Sequence, residues 1–187
     1  MNFNIFDYVS YNSVVILSYF FICLAVLVLD RITKGKVNNF FVCRRGNVFN
    51  PMNFFRLFLS GVCHCDWMHF RNNFLTILLL GPMLEEKYGS MNILYMLLIT
   101  TAVSSLVHLF IYDGGAIGAS DNVFMMVVLC SIVNISSGKI PLTLLFILMF
   151  YVFDEIVKLF SSKGDHIAHD SHIVGAVCGF IFGYFIF

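Results

Sequence analysis

The chain of 187 residues is 59% hydrophobic, 17% aromatic and only 12% charged, and its mean hydropathy is +0.88. Soluble domains carry about twice that charged fraction, so the composition excludes an ordinary water-solvated globule and points to a polytopic membrane protein. Eleven Lys and Arg balance eleven Asp and Glu, which leaves no basic field for nucleic acid.

The N-terminal stretch lacks the basic region and small-residue cleavage site of a secretory leader, so the first apolar run is expected to stay as a helix. That run covers 13–29 and closes at Asp30 and Arg31. The stretch after it is too polar and punctuated to cross, yet it carries Phe40, Phe41, Phe49, Phe54 and Phe55. It is expected to be a long first loop, partly embedded in the membrane interface with its apolar side towards lipid. Apolar spans then follow at 67–84, 92–112 and 119–133. A fifth, opened by Pro141, covers 141–153 and stops before Asp154 and Glu155, and a sixth covers 167–187. The expected fold is all-α, a bundle of six transmembrane helices in a single domain spanning 1–187.

Three spans open with polar groups that lipid cannot satisfy. His64, His69, Arg71, Asn72 and Asn73 cluster at the second, and Ser120, Asp121 and Asn122 at the fourth. His166, His169, Asp170 and His172 cluster at the sixth. Such groups usually face a bundle interior or a wet cavity. In an alternating topology the heads of spans two, four and six lie on one side of the membrane, so one cavity can hold all three clusters.

Ser120 follows Gly118 and Ala119 at a helix start, where free backbone amides favour developing negative charge. The plain alternative is an N-cap serine. Phe124 lies one turn on, where it can pack against an imidazole. His172 heads a stripe of Gly175, Gly179 and Gly183, small residues that let a neighbouring helix come close. Taken alone the stripe means packing; beside a serine helix it suggests a nucleophile and its base. His69 and Asn73, four apart, share a helix face and can both donate hydrogen bonds to an anionic intermediate; otherwise they are a polar cluster that stabilises the bundle. The six cysteines (23, 43, 63, 65, 130, 178) read as small hydrophobes, and the lone CxC pair of Cys63 and Cys65 is a weak metal signal.

These motifs together resemble the rhomboid family of intramembrane serine proteases over about 55–187. HCDWMHFRNN resembles the family's HxxxxHxxxN through His64, His69 and Asn73. EEKYGS resembles the end of its second helix through Glu85, Gly89 and Ser90. GASD resembles its GxSx element, and HIVGAVCG its HxxGxxxG. FFR, ending in Arg56, resembles the Trp-Arg element of the first loop, with Phe55 in the tryptophan's place.

The resemblance implies Ser120 as nucleophile and His172 as general base, a dyad without a required aspartate. It implies an oxyanion hole of His69, Asn73 and the Ser120 amide, packing roles for Gly118, Phe124, Gly175, Gly179, Glu85 and Arg56, and no cofactor or metal. It further implies transmembrane protein substrates met in the lipid bilayer, and a multi-pass protein of the bacterial cytoplasmic membrane.

Two departures stand out. Asp121 takes the place of a common glycine, where a carboxylate can oppose the oxyanion unless the helix turns it away. His169 rivals His172 as base, though only His172 has the glycine spacing.

Competing functions are a catalytically inactive relative that binds transmembrane clients, and a metal site or transporter built on His166, His169, Asp170 and His172. Orientation is also two-sided: Arg31, Lys34, Lys36, Arg44, Arg45 and Arg56 in the first loop argue for a cytoplasmic loop, whereas the resemblance puts that loop on the opposite face.

Overall fold

The computed structural model describes residues 10–44, 50–111, 115, 117–133, 139–161 and 169–186. Phe49, Arg45, His166 and the expected ends of the third and sixth spans lie outside them. Among the described residues every regular element is a helix, and there is no strand.

Helix α1 (Val14–Ile32) is an apolar rod that runs through Asp30 and Arg31 rather than stopping before them. The charges do not end it because two parts of the first loop, one near and one distant in sequence, satisfy them. The buried Asp30 carboxylate accepts from the Asn38 N–H at 2.8 Å, and Arg31 donates to the Cys65 carbonyl. The first loop holds two short helices, α2 (Lys36–Phe41) and α3 (Pro51–Leu59), and a 3-10 turn at Ser60–Val62. Asn50 caps α3 through the Met52 N–H, with Pro51 in the first position, where its missing N–H costs nothing. Arg56 ties the two helices together, donating to the Phe40 carbonyl at 2.7 Å and lying over the Phe40 ring. Cys43 and Leu57 pack on Leu109 of the bundle, while Phe40, Phe54 and Phe55 face outward.

Helix α4 (Trp67–Tyr88) starts at Asp66, whose carboxylate accepts from the His69 N–H at 2.8 Å, and extends four residues past the expected end. The extension has a cause. Glu85 is buried and receives the Val15 and Ile16 N–H groups at 3.0 Å each and the Ser90 hydroxyl at 2.7 Å. It therefore caps α1, where a negative charge also meets the positive end of the helix dipole. Helix α5 (Ser90–Ile111) follows at once.

Helix α6 (Ser120–Ile132) is the axis of the bundle, buried without a break from Asp121 to Met126. At 1.5 Å per residue its 13 residues reach about 20 Å, short of the roughly 30 Å hydrocarbon layer. A helix sheathed by others can stop short, because the loop before it then lies in protein and not in lipid.

The fifth span differs from the expectation. Helix α7 (Leu142–Ile147) passes through a π-turn at Leu148–Val152 directly into α8 (Phe153–Ser161). Asp154 and Glu155 therefore sit inside a continuous helix, where Lys158 and two histidines satisfy them. Helix α9 (His169–Ile181) ends in a second π-turn, Phe182–Ile186.

Among the described residues two helices, α1 and α5, are long and apolar enough to cross a bilayer, and α6 is apolar but shorter. The tightest packing is α6 against α9. A Cβ on Gly175 would lie 2.1 Å from the Asp121 carbonyl oxygen, and one on Gly179 would lie 2.3 Å from that of Met125. Only glycine allows that backbone approach.

Candidate active site

The heads of α4, α6 and α9 converge. Gly118, just before α6, has φ +123°, a conformation that L side chains rarely adopt. It also lies under the His69 ring, where a Cβ would come within 2.5 Å of Cε1. On the other side, Phe124 stacks face to face on the His172 imidazole, with centroids 4.4 Å apart and planes 11° apart. Ser120 is one turn before Phe124, and His172 one turn before the Gly175 contact, so the hydroxyl and imidazole sit at the same end of the α6–α9 seam. His69 and His172 are close enough to influence one another electrostatically.

Helix α6 opens at Ser120 with Ala119 as its cap residue and no side-chain cap. The N-cap alternative therefore does not apply. Ser120 lines a cavity of about 20 Å³ with Ser60, Ser104, Ser105, Ile117, Gly118, Asp121 and Ser171, room for one water. Asn73, one turn after His69 on α4, is buried and its Nδ2 has no hydrogen-bond partner, which leaves it a free donor. Arg71 and Asn72 of the same cluster are exposed and take no part.

Asp121 is buried on the α5 side. Its Oδ1 accepts from the Asn122 N–H at 2.7 Å, and Ser104 is a second partner. The Asn122 amide donates to Thr101 at 2.8 Å. His64 is wholly buried, edge-on to His69 at 5.2 Å, and neither of its ring nitrogens has a partner. Burial pushes its pKa down to about 3, so it stays uncharged.

Two polar groups escaped the sequence reading. His108 on α5 meets Asp170 at 2.9 Å in the interior, which takes Asp170 away from its neighbours in the metal reading. Glu155 Oε2 lies 2.6 Å from His169 Nδ1 and 2.7 Å from His172 Nδ1. An acidic or imidazole side chain inside an apolar span was the available signal for both. Glu155, His169 and His172 are also the described residues whose ligand atoms cluster, all within 4.8 Å. The thiols of Cys63 and Cys65 differ in exposure, one buried and one at the surface.

Residues 51–187 match the Rhomboid domain. The chain belongs to the rhomboid family. Comparison with curated proteins gave no match. As a rhomboid-family protein it is an integral membrane protein whose interactions lie within the bilayer.

Proposed function

We propose that this rhomboid-family chain is an intramembrane serine endopeptidase that cleaves transmembrane or membrane-proximal segments of other proteins. The observation that supports the reading is Ser120 at the first position of α6 with the His172 imidazole stacked on Phe124, one turn further along the same helix. In the reaction the Ser120 hydroxyl passes its proton to His172 Nε2 and its oxygen attacks the scissile carbonyl. His69, the Asn73 amide and the Ser120 N–H hold the oxyanion. Collapse returns the proton to the leaving amine and leaves an acyl-enzyme. Water from the serine-lined cavity, again deprotonated by His172, releases the acid. Six crossings and a single domain over 1–187 complete the proposal, in the bacterial cytoplasmic membrane.

A non-cleaving binder is the rival reading, and Asp121 was its main support. With that carboxylate held by the Asn122 N–H and Ser104, little favours it. The deciding experiment is cleavage of a reporter transmembrane substrate in liposomes by wild type and by Ser120→Ala. Cleavage lost in the variant supports the protease; equal cleavage, or none by the wild type, refutes it. Orientation is tested by thiol accessibility at Cys65, which is exposed in the first loop, whereas Cys43 is buried.

A further inference from the structure

Glu155 stands against the proposed base at its Nδ1, while Phe124 covers a face of the ring. Both imidazoles reach the same oxygen, His169 Nδ1 at 2.6 Å and His172 Nδ1 at 2.7 Å. His169 and Glu155 are buried, and His172 is nearly so. These are hydrogen-bond lengths. Two ligands of a tetrahedral zinc, each about 2.1 Å from the metal, would stand roughly 3.4 Å apart.

An ionised carboxylate only accepts, so each imidazole must present its Nδ1–H. A neutral imidazole protonated on Nδ1 carries its lone pair on Nε2, the one ring nitrogen then free to receive a proton. Phe124 fixes the plane of the His172 ring but not its rotation within that plane. Glu155 fixes the rotation. The second hydrogen bond, from His169, and Lys158 Nζ 3.7 Å from the other oxygen hold the carboxylate itself in place.

We propose that Glu155 is the positioning residue of His172, setting its tautomer and in-plane orientation and stabilising the imidazolium formed as Ser120 attacks. This extends the two-residue dyad that the family resemblance implies to a Ser-His-Glu arrangement whose acid comes from the fifth span. It rests on the protease reading above.

The test compares full-length wild type, Glu155→Gln and Ser120→Ala in liposomes, with kcat and KM measured on a reporter transmembrane substrate. Imidazole nitrogen resonances are recorded on the detergent-solubilised protein. In Glu155→Gln, kcat is expected to fall about tenfold to a thousandfold with KM within about twofold, less than the loss on removing the acid of a full serine triad. The wild type should show His172 as the Nδ1–H tautomer with a strongly downfield proton, lost in the variant. A Glu155→Gln enzyme with wild-type kcat beside a dead Ser120→Ala overturns the inference alone. A wild type that does not cleave overturns the protease reading and the inference with it. If Glu155→Gln does not fold, the wild-type spectrum decides, and an Nε2–H tautomer at His172 overturns the proposal.

Discussion

Alanine substitution along the α9 glycine stripe gives the sharpest structural prediction, because Gly175 and Gly179 meet backbone whereas Gly183 meets a side chain. A Cβ at Gly175 would stand 2.1 Å from the Asp121 carbonyl oxygen and 2.8 Å from its carbon, both backbone. Neither can rotate away, so α9 must retreat from α6 by about 1 Å to reach ordinary contact. His172 is one turn earlier on α9 and retreats with it. A displacement of about 1 Å in a reacting group costs on the order of a hundredfold in rate, and overpacking of this kind costs about 1–3 kcal/mol of stability. At Gly183 the obstruction is the Ile132 side chain, its Cδ1 at 2.4 Å and Cγ1 at 2.7 Å, which can turn without moving the backbone, so Gly183→Ala should cost some stability but leave the reacting groups in place. The assay is the rate of covalent labelling by a fluorophosphonate, read beside thermal unfolding in detergent. Gly175→Ala should label about a hundredfold more slowly, while Gly183→Ala stays close to wild type. Equal labelling by Gly175→Ala and wild type would refute the claim that the glycine contact sets the distance between the two helices' reacting groups.

Further outcomes follow from the same geometry. His69→Ala and Asn73→Ala should each lower kcat about tenfold to a thousandfold, as lost oxyanion donors do, with unfolding temperatures near that of wild type. Glu85→Gln replaces the charged acceptor of two α1 N–H groups; thermal unfolding should report a loss of about 1–3 kcal/mol, with catalysis per folded molecule retained. His64, in the loop before α4, has a folded pKa of about 3 against an ordinary 6.5. Between those values the unfolded chain binds the extra proton, so stability is full above pH 6.5 and declines as pH falls towards 3. His64→Phe, which keeps the ring contacts with Phe70 and Phe74, should flatten that decline in a pH series of unfolding midpoints.

Much of this was legible in the sequence because membrane helices advertise themselves by length and hydropathy, and because polar residues at their ends have few places to go. The heads of spans two, four and six could be brought together by topology alone, and Phe124 could be placed beside an imidazole by helical spacing. The errors share a cause. By the cost of charge in lipid, Asp30, Arg31, Asp154 and Glu155 look like helix stops, but each is satisfied by a partner distant in sequence or a turn away. Pairing across the bundle, as in Glu85 capping α1 or Asp170 meeting His108, depends on helix rotation, which one sequence does not encode in a readable pattern. For the same reason Glu155 was invisible as a neighbour of His172: it lies 17 residues away, on an element expected to have ended.

The most direct test of the central claim is fluorophosphonate labelling of the full chain, with the modified residue located by mass spectrometry. The account predicts one adduct, on Ser120, formed rapidly by the wild type and lost in both Ser120→Ala and His172→Ala. An adduct on another serine, or labelling of Ser120 that proceeds at the wild-type rate without the His172 imidazole, would contradict it.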